Sequence, residues 1–310
     1  MPKLLSSPLR YPGSKVGLVD WFESFLENHD LTGVQFVEPY AGSAALSLNL
    51  LSRRVVSSVM LFERDPLLFS FWYSVFRHPD ELIAHVERFE ASLATRAELS
   101  WLREMDTVSE DVTLMGFAGL LFNRTSFSGV LHAGPIGGVE QRSAYSVDCR
   151  YNKSELIRRI VQYAKLGESV DVYFGDAVHA LSDARAAENE NRLFYVDPPY
   201  YVQGRKLYRY SYEFSDHMLL SETLATANYR WVLSYDDHAA IRHFYRNFRL
   251  FEPTFRYSSR VPKNERELIF TNIEPAAVAF NLHEADPAVA VEHVAADPST
   301  TDESAHTIVA

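Results

Sequence analysis

The sequence predicts an α/β fold: a largely parallel sheet covered by helices and interrupted by a smaller, mainly helical insert. Three observations point there. Short apolar runs, Gln35 to Tyr40, Val55 to Phe62 and Leu193 to Val196, are rich in β-branched and aromatic residues and read as buried strands. Stretches of helical composition follow the first two, the alternation that builds a parallel sheet. Finally, 310 residues with 47% hydrophobic content can bury one large core or two smaller ones.

Taken in order, Gln35-Phe36-Val37-Glu38-Pro39-Tyr40 is a strand running into a tight turn at Ala41-Gly42-Ser43, with helix over Ala44 to Leu51. Val55 to Phe62 is the second strand. It ends in Glu63-Arg64-Asp65-Pro66, where Pro66 suits the first turn of a helix reaching about Phe76. Pro79 to Leu121 reads as helix in two or three pieces. Asn123 to Arg150 is rich in Gly, Ser and turn residues, the composition of a recognition insert or of a plain surface loop. Helix resumes near Ser154 to Leu166, and a strand at Val170 to Phe174 ends in Gly175-Asp176. The polar run Arg185 to Arg192 leads to the Leu193 strand; Trp231 to Tyr235 and Leu268 to Thr271 add two more. The Ala-, Asp- and Glu-rich tail after Pro275 is expected to be disordered.

The single cysteine, Cys149, excludes an intramolecular disulfide and a Cys-based zinc site, and points to a cytoplasmic protein. No charged n-region precedes an apolar stretch, and no apolar run reaches the roughly 18 residues that span a bilayer, so neither secretion nor membrane insertion is expected. The formal charge of −11 argues against a polyanionic partner, yet Pro275 to Ala310 holds six acids and no Lys or Arg, leaving 35 acids against 30 basic residues elsewhere. Cations cluster at Arg205-Lys206 with Arg209, at Arg256 through Arg266, and at Arg142, Arg150, Lys153, Arg158 and Arg159. Such clusters can follow a phosphate backbone locally or simply be solvated surface.

Asp197-Pro198-Pro199-Tyr200 follows the Leu193 strand. Proline fixes φ and removes backbone donors, so the Asp197 carboxylate and the Pro198 carbonyl converge as acceptors, with Tyr200 as a base-sized platform. That arrangement suits a planar amino group such as that of adenine or cytosine; the plain alternative is a Pro-rich turn. Upstream, Glu38-Pro39-Tyr40-Ala41-Gly42-Ser43-Ala44 places a Gly at a strand-to-helix turn, where backbone can approach a ligand, and Glu63 ends the next strand, where an acid can take ribose hydroxyls. Dinucleotide dehydrogenases use this geometry with a G-x-G-x-x-G that is missing here. S-adenosylmethionine fits better, having no pyrophosphate to cradle.

Together, Arg10-Tyr11-Pro12-Gly13-Ser14-Lys15, Phe36 to Ser43, Asn123-Arg124-Thr125-Ser126-Phe127-Ser128-Gly129 and Asp197-Pro198-Pro199-Tyr200 resemble, in content and order, the Dam-type (D12 class) adenine-specific DNA methyltransferases. The resemblance covers roughly Leu9 to Ile273. It implies a Rossmann-like S-adenosylmethionine-dependent methyltransferase sheet. Residues 1–76 and 166–275 would form the catalytic domain, 77–165 a target-recognition insert and 276–310 a disordered acidic tail. It also implies S-adenosylmethionine as cofactor, contacted by Tyr11, Lys15, Glu38, Pro39, Gly42 and Ser43, with Glu63 on the ribose, Asp176 at the adenine and Asp197 near the methionine part. Asp65 competes with Glu63; Lys15 read alone is equally an exposed helix-start cation, and Asp176 a turn cap. Two departures stand out: Ala44 where the family usually has Gly, and Glu63 where it commonly has Asp.

The implied chemistry is transfer of a methyl group to adenine N6, with Asp197, Pro198, Pro199 and Tyr200 catalytic and no metal. The base must be flipped from its duplex, stacking on Tyr200. Tyr201, Tyr208, Tyr210 and Tyr212 line that pocket or pack, and His217 reads as a packing residue. The expected partner is double-stranded DNA, with a cognate restriction endonuclease as an optional second, for a monomer acting in restriction-modification, phage or regulatory methylation. Gln141 and Arg142 are the candidates for base contact, Lys153 with Arg158 and Arg159 for phosphate, and Asn123-Arg124 for DNA contact or for tying the insert down. Two alternatives stay open: methylation of RNA or a glutamine side chain, and a non-enzymatic DNA-binding relative.

Overall fold

Among the described residues eight strands follow in chain order: β1 (Gln35–Glu38), β2 (Ser58–Glu63), β3 (Val170–Phe174), β4 (Arg192–Val196), β5 (Arg230–Asp236), β6 (Arg249–Phe251), β7 (Thr254–Arg256) and β8 (Asn264–Thr271). They make one sheet in the order β3-β2-β1-β4-β5-β8-β6, with β7 pairing β8 off that path. β1 to β5 run parallel to one another; β8 is antiparallel to β5, β6 and β7. This is a mixed, Rossmann-like α/β sheet. Strand order reverses where β1 meets β4, and the crevice outside the carboxyl ends at such a switch point is where open α/β sheets bind ligands.

The structure, a computed structural model, describes residues 4–11, 13–184, 191–202, 204–256 and 264–274, all within one compact unit. The acidic tail expected at 276–310 lies outside the described residues, as do Arg260 and Lys263 of the cation cluster.

The alternation of side chains across a strand divides the core into two. Leu193 and Tyr195 pack with Phe22, Leu61 and Trp72 in one cluster, while Phe194 and Val196 join Trp231, Leu233 and Tyr235 in the other. Sequence reading passed over the helix Val19–Asn28, although its buried Val19, Phe22, Phe25 and Leu26 recur at helical spacing. Phe22 meets the rings of Phe36 and Tyr195 at 6.0 and 5.0 Å. β2 starts at Ser58 and not Val55, because Arg54 takes a left-handed φ of 61° and the Val55 N–H bonds back to the Leu50 carbonyl. β6 and β7, three residues each, are too short for periodicity to register.

Between β2 and β3 the chain makes the helices Pro66–Arg77, Pro79–Arg88, Leu93–Glu98, Ser100–Arg103, Val112–Thr125 and Lys153–Ala164. A Cβ on Gly116 or Gly119 would lie 2.6 Å from the Ser70 carbonyl oxygen and 2.5 Å from that of Leu67. Val112–Thr125 therefore rests backbone to backbone on Pro66–Arg77, and Met115, Phe117, Leu120 and Leu121 enter the sheet's own core cluster. That helix, within the stretch read as an insert, joins the core of the sheet by way of Pro66–Arg77.

Candidate active site

The carboxyl edge of the parallel strands is lined with acids: Glu38 ends β1, Glu63 ends β2, Asp176 follows β3, Asp197 follows β4 and Asp236 ends β5. A cavity of about 300 Å³ opens over the first four. Its floor is the β1 turn. Gly42 has φ +46°, and a Cβ there would sit 2.9 Å from the Tyr11 ring. Ala44 is fully buried with left-handed φ 45°, ψ 25°, a conformation that costs a residue bearing Cβ about 1–2 kcal/mol. The departure from the family's Gly thus falls on a position built for Gly.

The Gly42 N–H donates to Glu63 Oε2 at 3.0 Å, and the Asp65 N–H to Oε1 at 2.8 Å. Asp65 caps the helix Pro66–Arg77, its Oδ1 accepting from the Leu67 N–H at 2.9 Å. Glu38 accepts from the Ser47 hydroxyl. Burial pushes all three carboxyls up, Glu38 to about 8, Glu63 to about 7 and Asp65 to about 6. Pro39 and Ser43 line the same cavity. Asp176 is indeed a helix cap, accepting from the Val178 N–H at 2.9 Å, but its second oxygen takes Arg64 at 2.9 Å, and it too lines the cavity.

Lys15 is not an exposed cation. It is 4% exposed, with Nζ 2.8 Å from Asp197 Oδ1 and 2.9 Å from Glu267 Oε1. It also donates to the Gly13 carbonyl at 3.1 Å and the Tyr200 hydroxyl at 3.3 Å, and lies 5.0 Å over the Tyr200 ring. The Ser234 hydroxyl donates to Asp197 Oδ1 at 2.9 Å. Asp197 and Pro199 line the cavity; Tyr200 packs beneath Lys15, its hydroxyl 2.6 Å from where a Gly13 Cβ would stand. The turn after Tyr200 is fixed by Asp236, which accepts from the N–H groups of Tyr201 and Val202 at 2.9 and 3.3 Å. Tyr208, Tyr210 and Tyr212 line the cavity, whereas Tyr201 packs on His217 and His238. His217 is a packing residue, buried with Nδ1 2.5 Å from the Tyr235 hydroxyl.

The expected DNA contacts divide. Asn123 is wholly buried, accepting from the Arg10 N–H at 2.7 Å and donating to the Arg10 and Gly129 carbonyls at 2.8 and 2.9 Å. Arg124, 8% exposed, donates to the Pro8 and Ser7 carbonyls, and burial lowers it to about 10. Both tie the N-terminal motif to the helix Val112–Thr125, which corrects their assignment to DNA. Gln141 is corrected too: at φ 50° it donates to the Ile136 and Gly138 carbonyls and accepts from the Val147 N–H, so its amide holds its own loop. Lys153 reaches Glu90 at 2.6 Å and the Glu87 carbonyl at 3.0 Å, tying its helix to Pro79–Arg88. Arg142 is 83% exposed and pairs with Glu140 at 2.9 Å.

Sequence reading missed Glu267, Ser234 and Arg96. Glu267 had a signal: an acid abutting the apolar Leu268-Ile269-Phe270, on a strand whose antiparallel direction brings its start to the carboxyl edge. Arg96, 7% exposed, donates to the hydroxyls of Thr125 and Ser126 and the Ala133 carbonyl; nothing in its local sequence marks it.

The sequence matches a family described as D12 class N6 adenine-specific DNA methyltransferase over residues 11–259. The chain belongs to that family. No curated protein matches this methyltransferase by sequence. Similar solved structures include the rRNA methyltransferase aviRa from Streptomyces viridochromogenes, at 15% identity and TM-score 0.38 over 86% of this chain and 88% of that one. Another is a SAM-dependent methyltransferase from Neisseria gonorrhoeae, at 14% identity and TM-score 0.33 over 89% and 74%. Membership of that family makes the protein a methyltransferase, with S-adenosylmethionine as its cofactor.

The cavity fits that cofactor. Glu38, Glu63 and Asp65 make no ion pair among the described residues, and burial raises all three. A sulfonium cation bearing hydroxyls offers these three carboxyls a charge and donors, and the bare Gly42 backbone gives it room to approach. Among the described residues no cluster of His, Cys, Asp and Glu could hold a metal ion, and no helix is long and apolar enough to cross a membrane.

Proposed function

We propose that this methyltransferase acts on the N6 amino group of adenine in double-stranded DNA. The observation that carries the reading is Asp197, fixed by Lys15 and Ser234 at the carboxyl end of β4 and lining one cavity with Glu63 and the Gly42 loop. Amine chemistry and cofactor recognition then share one space. S-adenosylmethionine supplies a methyl group activated by its positive sulfur.

Glu63 takes the ribose hydroxyls, with both its oxygens already oriented by backbone N–H groups. Asp65, whose Oδ1 caps the helix Pro66–Arg77, is the competing acid. Tyr11 and Gly42 form the wall, and Asp176 with Arg64 the far end. The adenine N6–H₂ donates to Asp197 and to the Pro198 carbonyl, which favours a pyramidal nitrogen whose lone pair is free to attack. The protein's part is positioning and acceptors aimed at charge growing on nitrogen. The base leaves its duplex to reach the cavity, and Arg142, exposed on the loop after Asn123, is the described recognition residue best placed to meet DNA.

The test is incorporation of labelled methyl groups into double-stranded DNA, RNA and protein in parallel, with nucleoside analysis of the product. N6-methyladenine in DNA is expected, and its loss in Asp197→Ala with cofactor binding kept. Label in RNA or protein alone, or an Asp197→Ala variant turning over within tenfold of the parent, refutes the reading.

A further inference from the structure

Asp236 and Glu267 stand directly opposite each other in the antiparallel β5–β8 register. Like charges in that position destabilise a sheet. Here each acid has a task beside the catalytic turn. Asp236 holds the N–H groups just after Tyr200, and Glu267, 4% exposed, reaches across to Lys15.

We propose that Glu267 is a positioning residue for methyl transfer, acting through Lys15 to fix the Asp197 carboxylate against the target amine. This deepens the function proposed above and rests on it. The geometry follows from three strands converging. Lys15 Nζ forms ion pairs with Asp197 Oδ1 at 2.8 Å and Glu267 Oε1 at 2.9 Å, and donates to the Gly13 carbonyl and the Tyr200 hydroxyl. An ammonium held by Asp197 alone would be free to swing with it. Anchored from β8, it becomes a fixed point, and with Ser234 it constrains Asp197 Oδ1 from two directions. The 19% of the Asp197 side chain that remains exposed is then presented to the cavity in one orientation.

Charge supports the same role. One carboxylate would neutralise the buried Lys15 and leave the turn without net charge. A second makes the trio of Lys15, Asp197 and Glu267 net negative where positive charge grows on the amine. Burial opposes the charge on Lys15, yet Asp197 and then Glu267 hold it well above its usual range.

The experiment uses the full chain with Glu267→Gln and Glu267→Asp. It measures kcat and KM on DNA, calorimetric S-adenosylmethionine affinity, melting temperature, and labelling of Lys15 by an amine-reactive reagent read by mass spectrometry. Glu267→Gln should lower kcat by about 10–100-fold with KM and cofactor affinity within about threefold, the signature of lost positioning. Lys15 should label faster, and Glu267→Asp should recover part of the rate. In a Lys15→Met background Glu267→Gln should cost little more, since the two act as a unit. A folded Glu267→Gln with parental kcat and unchanged Lys15 labelling overturns the inference, as does a full further loss in the Lys15→Met background. Should Glu267→Gln not fold, Glu267→Asp carries the test: slower turnover and faster Lys15 labelling at an unchanged melting temperature support it, and parental values refute it. If the parent methylates no DNA, the proposed function fails, and Lys15 labelling alone decides the anchoring by Glu267.

Discussion

At Glu63 two backbone donors orient a carboxylate that burial nonetheless holds at about 7. The hydrogen bonds lower it, while desolvation and the neighbouring Asp65 raise it by more. A ligand whose hydroxyls donate to this group prefers the ionised form, so cofactor affinity should rise as pH passes upward through 7. Calorimetry at pH 6 and pH 8 should show binding up to about tenfold tighter at the higher value, with proton release; a tenfold gain corresponds to about 1.4 kcal/mol of preference for the ionised carboxylate. Glu63→Gln should reduce the dependence, leaving the part due to Glu38, and weaken binding by roughly 1.5–3 kcal/mol, the usual cost of a lost charged hydrogen bond. A flat profile in the parent, with Glu63→Gln binding unchanged, would transfer the ribose role to Asp65.

At the scale of elements, the helix Val112–Thr125 shows what local sequence conceals. Gly116 and Gly119 are poor helix formers, each about 1 kcal/mol worse than Ala, and local propensity alone would favour replacing them. The carbonyl oxygens of Ser70 and Leu67, 2.6 and 2.5 Å from the missing Cβ atoms, reverse that preference. Gly119→Ala should therefore destabilise the protein by about 1–3 kcal/mol, as overpacking does, seen as a lower urea midpoint; an unchanged or raised midpoint would mean the helices part easily. The strands carrying Glu38 and Asp197 were legible because each pairs a continuous apolar run with a turn, and Glu63 and Asp176 followed from the same logic. What stayed illegible depends on partners far away in the chain. Asn123 reads equally as a DNA contact or a structural tie, and what decides for the tie is the Arg10 backbone, more than a hundred positions earlier, which occupies its amide. Glu267 gains meaning once β8 turns antiparallel and returns to the carboxyl edge, and the helix Val19–Asn28 had an apolar stripe that was simply not read.

Across the whole molecule, the acids at the carboxyl edge of the sheet store a cost that binding can relieve. Glu38, Glu63 and Asp65 are raised to about 8, 7 and 6, chiefly by burial. Between the ordinary carboxylate range and about 8 the folded protein thus binds more protons than the unfolded chain at these positions, so their contribution to stability falls as pH rises through that window. Opposite in sign, Glu155 is lowered to about 2 by Arg158 and Arg159 and acts in more acidic solution, while His85, His132 and His217, lowered by burial, add stability as pH rises through the ordinary histidine range and offset part of the fall. Lys15 is raised and loses its contribution only in alkaline solution, above the window. Urea unfolding without cofactor should accordingly show stability dropping by about 3 kcal/mol from pH 5 to pH 8, what a single carboxylate contributes when it titrates roughly two pH units higher in the folded protein than in the unfolded chain. Saturating S-adenosylmethionine stabilises the folded state by mass action and, by giving these carboxylates donors and a positive charge, should stabilise more at pH 8 than at pH 5. Stability that rises across this range without cofactor, or a cofactor effect larger at pH 5, would show that the three acids are already compensated within the fold and that the cavity was not built around a cation.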